Sequence, residues 1–194
     1  MNRIVFATHN ANKLREIRSV IDLPVHVLTL NDIQFHKEIP EPFDTYEENA
    51  IAKAGFVFEH TGLDCFAEDS GLEVECLGGR PGVFSARYSG IHGDADANIR
   101  KVLEEMINCE NRRAKFCAVI AFVQKNQSAK IFRGEVNGSI SREPTGHSGF
   151  GYDPIFIPDG YDMTFAQLDQ NIKHQISHRA KAFEKFAAFL TTVF

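Results

Sequence analysis

Residues 3–21 have the sequence RIVFATHNANKLREIRSVI, in which an apolar run is followed by a polar loop and an amphipathic pattern. Residues 3–7 are predicted to form a β-strand. Asn10 or Asn12 is predicted to cap a helix over residues 13–21, with apolar side chains three and four residues apart along one face. A strand, a loop and a helix in this order favour an α/β or α+β fold.

The rest of the chain continues this pattern and then changes to a meander of strands. Thr45 and Glu48 form a capping box that opens a helix ending near Gly62, Asp94 caps a helix to about residue 108, and Ser177 caps the last helix. The other predicted strands are 25–30, 63–67, 72–76, 114–124, 129–133, 135–141 and 155–157. Together they predict a mixed β-sheet flanked by helices.

Length and composition predict a globular protein with no membrane segment. The 194 residues are 43% apolar and 24% charged, which fits a single domain over residues 1–194 with two lobes. The net charge of −5 argues against non-specific nucleic-acid binding. The longest apolar run has eight residues, and the start lacks signal-peptide architecture. We therefore expect a cytoplasmic protein without nucleic-acid or membrane partners.

The four cysteines show neither a CxxC pair nor zinc-finger spacing. Cys76 and Cys117 lie in apolar runs, where a thiol packs as a small hydrophobe. At this size and cysteine density a disulfide framework is not expected. All four thiols, Cys109 and Cys65 included, are predicted to be reduced and structural.

The loop between the first strand and the first helix is a candidate phosphate site. Helix N-termini present free N–H groups to anions, and hydroxyl, amide and ammonium groups would add donors. The loop residues are Thr8, His9, Asn10, Ala11, Asn12 and Lys13. A plain capped turn is the alternative, and the chain contains no P-loop motif.

An acidic stretch offers ligands for a hard metal ion. Residues 38–75 hold 11 of the 26 acidic residues, and Lys53 is the only lysine or arginine among them. Glu68 and Asp69 follow a predicted strand, where a turn would present both carboxylates; Mg²⁺ prefers such oxygen ligands. Asn49 and Lys53 stand four residues apart on the preceding helix. A solvated acidic turn is the alternative.

Two later segments complete an inventory that fits a nucleoside triphosphate. Residues 146–154 combine glycines, the rings of Phe150 and Tyr152, and the carboxylate of Asp153, which suits a purine platform. Lys173 and Arg179 supply basic groups able to bond to a carbonyl. A hairpin loop with packed aromatic rings is the alternative for the first segment.

The order of these motifs resembles the inosine triphosphate pyrophosphatase family, which acts on non-standard purine nucleoside triphosphates. The matching segments run from residue 8 to residue 179. They are Thr8–Lys13, Glu48–Ala50 with Lys53, Asp69–Leu72, Leu77–Gly82, Ser85–Tyr88, Gly149–Pro154 and Ser177–Arg179. The resemblance implies Mg²⁺-dependent hydrolysis of ITP, dITP and XTP to the monophosphate and pyrophosphate. It also implies an elongated mixed sheet with two lobes, a central active-site cleft and a homodimer.

The resemblance also assigns roles to individual residues. Thr8–Lys13 and Lys53 would bind the triphosphate, Asp69 would activate water, and Glu41 with Asp69 would bind the metal. The nucleoside pocket would contain Ser70, Phe150, Gly151, Tyr152, Asp153, Lys173, His178 and Arg179. Lys173 and Arg179 would donate to the 6-carbonyl of the purine, which adenine lacks.

Several residues depart from the family pattern. His9 stands where Asn or Gly is usual, Glu68 replaces the more usual Asp, and the loop around Glu38 and Glu41 lacks a glycine. Either of those two glutamates is therefore a candidate metal ligand. Two other functions stay open: a pyrophosphatase for other modified nucleotides, and a nucleotide-binding protein without turnover.

Overall fold

The computed structural model of the protein describes residues 2–20 and 24–194. The helices in these ranges are α1 Ala11–Val20, α2 Tyr46–Thr61, α3 Ala95–Glu105, α4 Gln170–Ile176 and α5 His178–Val193. The strands are β1 Arg3–Phe6, β2 His26–Thr29, β3 Cys65–Val74, β4 Arg113–Val123, β5 Lys130–Ile140 and β6 Phe156–Pro158. In the described part of the chain, no helix is both long and apolar enough to cross a bilayer.

Side-chain caps fix the starts of three helices. Asn10, one of the two predicted caps of α1, accepts hydrogen bonds from the N–H groups of Asn12 and Lys13. At α2 the capping box is confirmed, because Thr45 accepts from the Glu48 N–H and donates to the Glu48 carboxylate. Asp94 caps α3 as predicted. The predicted last residue of the first helix, Ile21, lies outside the described residues.

The strands form one six-stranded mixed sheet in the order β2-β1-β3-β4-β5-β6. Strand β1 runs parallel to β2 and β3, whereas β5 and β6 are antiparallel. The predicted mixed sheet with flanking helices is thus confirmed. Strand β1 ends at Phe6, which pairs with Phe66, whereas β3 continues to Val74, so the loop after β1 begins beside the first half of β3.

The structure corrects two predicted strand breaks and adds a helix. The segments predicted as 63–67 and 72–76 form the single strand β3, and those predicted as 129–133 and 135–141 form β5. The sequence predicted a turn that presents the Glu68 and Asp69 carboxylates at a sheet edge. Both are instead buried among cations, so the strand continues through them. The short helix α4 has too few residues for a clear periodic pattern and was not predicted.

The chain divides into two compact units. Unit 1 comprises Met1–Asp69, Ala118–Gly134 and Arg179–Phe194, and unit 2 comprises Ser70–Cys117 and Glu135–His178. The prediction of a single domain over residues 1–194 with two lobes stays a prediction, because a division by contacts does not establish folding as one domain.

In unit 1, the sheet is buried on both faces. Ile4 and Phe6 of β1 pack in one apolar cluster with side chains of α1 and α5, and Val5 and Ala7 pack in another with side chains of α2. This separation follows from the two-residue period of a strand, which points successive side chains to opposite faces. The same alternation continues along β3, where Phe66 belongs to the first cluster and Ala67 to the second.

Unit 2 has its own core and a disulfide bond. Aromatic rings are prominent in the core, among them Phe156, which is fully buried. Cys76 and Cys109 are disulfide-bonded with their Cα atoms 6.3 Å apart, so the prediction that all thiols are reduced was wrong for this pair. Their separation of 33 residues carried no local signal, and only packing against the same core brings them together. Cys65 and Cys117 form no disulfide bond, as predicted, and both are buried.

Candidate active site

Two adjacent carboxylates on β3 organise the buried charges of unit 1. Glu68 and Asp69 are 1% and 6% exposed. Because strand side chains alternate, Glu68 continues the face that packs on α1 and α5, and Asp69 continues the face that packs on α2. The strand therefore gives the two acids different neighbours.

Asp69 is held by the side chains of α2. The Lys53 ammonium donates to Asp69 Oδ1 at 3.0 Å, and Asn49 Nδ2 donates to Asp69 Oδ2 at 3.3 Å. The same ammonium group donates to Glu41 Oε1 at 2.5 Å. Lys53 and Asn49 are one helical turn apart, so both reach the same carboxylate from one face of α2. Lys53 thereby bridges the carboxylates of Asp69 and Glu41.

Glu68 pairs with cations from α1 and α5. Its Oε2 atom lies 3.1 Å from Lys13 Nζ and 3.2 Å from Arg179 Nε. The Arg179 guanidinium also pairs with the carboxylate of Glu16 on α1. The main-chain carbonyl of Glu68 accepts from both Lys13 Nζ and Lys53 Nζ, at 3.2 and 3.0 Å. One strand residue thus brings the two predicted phosphate-binding lysines together.

Burial and pairing shift the pKa values of these groups in different directions. Burial lowers the pKa of Lys13, because desolvation outweighs the attraction of Glu68. Burial acts on Lys53 as well, but Asp69 and Glu41 outweigh it and raise its pKa. Burial also raises the pKa of Asp69, even though Lys53 and Lys13 oppose that change. Perturbed values of this kind are typical of functional sites.

The loop at the start of α1 is built by its own side chains. Thr8 Oγ1 accepts from the Asn10 N–H at 3.1 Å, and Asn10 in turn caps the helix. The His9 ring nitrogen Nε2 donates to the Lys37 carbonyl at 3.1 Å, and this contact ties the loop to the segment that carries Glu41. Lys13 is the residue of this motif that reaches β3.

The carboxylates near Lys53 fit a magnesium ion. Glu41 and Asp69 direct oxygen atoms at the same ammonium group, whereas Glu38 is exposed. In residues 2–20 and 24–194, no three His, Cys, Asp or Glu side chains gather closely enough to hold a metal by themselves. Mg²⁺ usually binds through one or two carboxylates together with water and substrate phosphates. The donor set at Glu41 and Asp69 is of this type.

Unit 2 holds a second buried pair of charges, surrounded by aromatic rings. Lys173 and Asp153 are 2% and 3% exposed, and Lys173 Nζ donates to Asp153 Oδ2 at 2.6 Å. The same oxygen accepts the Phe150 N–H at 2.8 Å. The Lys173 ammonium lies 5.2 Å from the centre of the Phe150 ring and 5.9 Å from that of Phe165. Lysine, carboxylate and a half-buried ring thus occur together, and their role in a nucleoside pocket stays a prediction.

A glycine is required beside this pair. Gly149 has φ +80°, and a Cβ atom there would lie 2.0 Å from Asp153 Oδ2. Any other residue would therefore displace the carboxylate and also occupy a disfavoured backbone region. The glycine lets the main chain pass close enough for the next N–H group to bond to Asp153.

The remaining predicted residues of the nucleoside pocket differ in how deeply they are buried. Tyr152 is buried and donates to the Ser85 carbonyl at 2.8 Å, so its ring belongs to the core and Phe150 is the more exposed ring. His178 is buried and stacks on Phe116 with the ring centres 4.7 Å apart. Gly151 and Ser70 are half-buried.

The predicted site residues therefore fall into two groups. Unit 1 brings together Lys13, Lys53, Asp69 and Glu41, and it pairs Arg179 with carboxylates of the same unit. Unit 2 holds the pair that was predicted to contact the base. A contact of Arg179 with the purine stays a prediction.

Of the residues of unit 1, Glu16 was missed as a site residue, and Asn49 was noted for its spacing from Lys53 but was given no role. Glu16 stands three positions after Lys13, a spacing that places both on one side of α1. Asn49 is a buried amide in a helix interior, where asparagine is an unfavourable choice, and it lies four residues before Lys53. These spacings are visible in the sequence, but neither of them indicates which side chain the residue contacts.

Comparisons with known proteins identify the family of the chain. The Ham1 family profile matches residues 4–189. The dITP/XTP pyrophosphatase of Christiangramia forsetii is 46% identical over 97% of this chain and 99% of its own. That of Bacillus subtilis is 44% identical over 98% of both chains. The structure of the Staphylococcus aureus Ham1 protein superposes with a TM-score of 0.91 at 38% identity and covers 100% of both chains. With a matching profile and relatives over nearly its whole length, the chain belongs to the Ham1 family.

Proposed function

We propose that the chain hydrolyses non-standard purine nucleoside triphosphates such as ITP, dITP and XTP to the monophosphate and pyrophosphate. The relatives named dITP/XTP pyrophosphatases support this function. The observation that carries it is the convergence in unit 1, where Lys13 and Lys53 share the Glu68 carbonyl and Lys53 contacts Asp69. Two ammonium groups beside a buried carboxylate suit a polyphosphate and an activated water molecule.

Asp69 would act as the general base. It would orient a water molecule and accept its proton while the water oxygen forms a bond to the α-phosphorus. The bond between that phosphorus and the bridging oxygen breaks, and pyrophosphate leaves. Negative charge develops on the leaving group, and the fixed ammonium groups of Lys13 and Lys53 stabilise it. Thr8, Asn10 and the start of α1 would hold the phosphate chain.

Glu41 and Asp69 would hold Mg²⁺. A bound Mg²⁺ ion polarises phosphoryl oxygens and neutralises their charge. Both carboxylates contact the same Lys53 ammonium group, and this supports the assignment because it places their oxygen atoms near one point.

The pair of charges in unit 2 would read the base. Lys173, fixed by Asp153, would donate to the 6-carbonyl of hypoxanthine or xanthine, and the Phe150 ring would stack on the purine. Adenine carries an amine at that position and would leave the ammonium without an acceptor, which weakens its binding. Ser70, Gly151, Tyr152 and His178 of the same unit would complete the pocket.

A panel of triphosphates with pyrophosphate detection, run with and without Mg²⁺, tests this function. We expect ITP, dITP and XTP to release pyrophosphate rapidly in the presence of Mg²⁺, and ATP and GTP to do so slowly. Faster turnover of modified pyrimidine or methylated nucleotides would indicate the related activity instead. Binding of ITP without pyrophosphate release would indicate a nucleotide-binding protein.

We also propose a homodimer that works in the cytoplasm without nucleic-acid or membrane partners. The resemblance to the family supports the dimer, and the net charge of −5 argues against nucleic acid. Light scattering on the purified protein should give twice the chain mass of 21.8 kDa. A value equal to the chain mass would refute the dimer.

A further inference from the structure

The helix α2 contains a fully buried asparagine, Asn49, whose side-chain amide both accepts and donates hydrogen bonds. Its Oδ1 atom accepts the Phe43 N–H at 2.9 Å, and its Nδ2 atom donates to the Phe43 carbonyl at 2.9 Å. An N–H group requires an acceptor and a carbonyl requires a donor, so this pairing fixes the orientation of the amide. The second hydrogen of Nδ2 remains for another partner.

That partner is the Asp69 carboxylate, whose Oδ2 atom lies 3.3 Å from Asn49 Nδ2. Lys53, one turn further along α2, donates to the other oxygen of the same carboxylate and also to Glu41. The helix therefore fixes both oxygens of Asp69. It also holds the segment 41–43 at two points, through the Glu41 side chain and through the Phe43 backbone.

We propose that Asn49 is a positioning residue that couples the orientation of Asp69 to the placement of Glu41. Its amide has a fixed orientation, so the backbone two residues after Glu41 and the Asp69 carboxylate are held in one geometry. Without it, the Asp69 carboxylate would lose the hydrogen bond to Oδ2 and keep the one from Lys53 to Oδ1, so it would be less well oriented. The inference rests on the proposed function, because Asp69 and Glu41 matter there as base and metal ligands.

Unit 2 contains a buried asparagine that bonds to the main chain, and it can be compared with Asn49. Asn98 on α3 is 3% exposed, and its Oδ1 atom accepts the Ser89 N–H at 2.7 Å. Its Nδ2 atom donates to the Ala86 carbonyl at 3.4 Å. Asn98 thus ties a backbone segment to a helix as Asn49 does, but both of these hydrogen bonds end on main-chain atoms. It provides a matched control for the loss of a buried amide.

The experiment compares Asn49→Ala, Asn49→Asp and Asn98→Ala in the full chain, with ITP as substrate and Mg²⁺ titrated. Asn49→Asp keeps the shape and an acceptor for Phe43 but loses the donor to Asp69. For both Asn49 variants we expect kcat to fall about tenfold to a hundredfold, and half-saturating Mg²⁺ to rise by a similar factor. The KM for ITP should change less than about threefold, because the lysines that bind phosphate remain.

For Asn98→Ala we expect kcat and half-saturating Mg²⁺ within about twofold of the wild type, although its melting temperature falls as in Asn49→Ala. Equal kinetic behaviour of the Asn49 and Asn98 variants would overturn the positioning role. So would failure of both Asn49 variants to fold, since the residue would then be structural. A wild-type chain that binds ITP without releasing pyrophosphate would instead refute the proposed function itself.

Discussion

The two compact units bury charge in different ways. Unit 1 buries two sets of ion pairs, one around Lys53 and one around Glu68, and the Glu68 carbonyl joins them by accepting from both Lys13 and Lys53. Unit 2 buries the pair Lys173 and Asp153 among aromatic rings. A dense ionic set suits a ligand with several charges, and a lysine beside a ring suits a flat polar base.

This difference separates reaction rate from substrate selectivity. Groups that stabilise charge developing on the phosphates act on every triphosphate alike, whereas groups that bond to the base discriminate between purines. Variants in unit 1 should therefore change the rate, and variants of the Lys173 pair should change the preference.

The largest effect is expected from Asp69→Asn in unit 1. Loss of the general base should reduce pyrophosphate release from ITP about a thousandfold, while ITP binding measured by calorimetry persists. Asp159→Asn serves as the control, because Asp159 is exposed and pairs with Arg113 in unit 2. An Asp69→Asn variant with near wild-type turnover would remove Asp69 from the role of base.

Replacement of the buried pair in unit 2 should affect selectivity more than rate. The double variant Lys173→Met with Asp153→Asn avoids leaving an unpaired buried charge. We expect the ratio of kcat/KM for ITP over ATP to fall about thirtyfold, because no cation then selects the 6-carbonyl. Rates with both substrates measured side by side decide this, and an unchanged ratio would place base recognition elsewhere.

A substitution of Arg179 distinguishes a role in catalysis in unit 1 from a role in recognition of the purine. Arg179→Lys keeps the charge but loses the planar fork that joins Glu68 to Glu16. We expect kcat/KM to fall about tenfold with ITP and ATP alike, since Glu68 would hold Lys13 less firmly. A smaller ITP preference at an unchanged ITP rate would support the predicted contact of Arg179 with the purine.

The pH dependence of ITP hydrolysis should reflect unit 1. Asp69 acts as a base only when ionised, and its pKa is raised, so activity should be lost on acidification at a pH above the ordinary value of 3.8. Lys13 has a lowered pKa, so its charge is lost on the alkaline side below 10.5. In pH–rate profiles, the Lys13→Arg variant should stay active to a higher alkaline pH than the wild type, and its loss of activity on acidification should not change. An unmoved alkaline limb would assign it to another group.

The smallest effect on activity is expected at the disulfide of unit 2. Cys76→Ser should leave kcat/KM within about twofold, because Cys76 and Cys109 pack against the core of unit 2, whereas the groups assigned to catalysis belong to unit 1. It should lower the melting temperature by about 5 °C, since the closed loop no longer restricts the unfolded chain. Reduction of the wild type should have the same effect, and reduction of the variant none.

Part of the fold and of the site was predictable because the signals are local. The capping box at Thr45 and the cap at Asp94 depend on residues within one helical turn, and both were predicted correctly. The break predicted within β3 failed because Glu68 and Asp69 are stabilised by side chains far along the chain. The pairing of Cys76 with Cys109 was missed for the same reason.

The amino-acid sequence alone determined most of the elements, two helix caps and the set of chemical groups, because hydrophobic periodicity and capping act over a few neighbouring residues. Only the tertiary structure decided which cation meets which acid. The strand turns adjacent carboxylates to opposite faces, and packing brings α2 to one of them and α1 with α5 to the other. Asp69 consequently meets Lys53 and Asn49, whereas Glu68 meets Arg179, because contacts between distant segments depend on the whole fold.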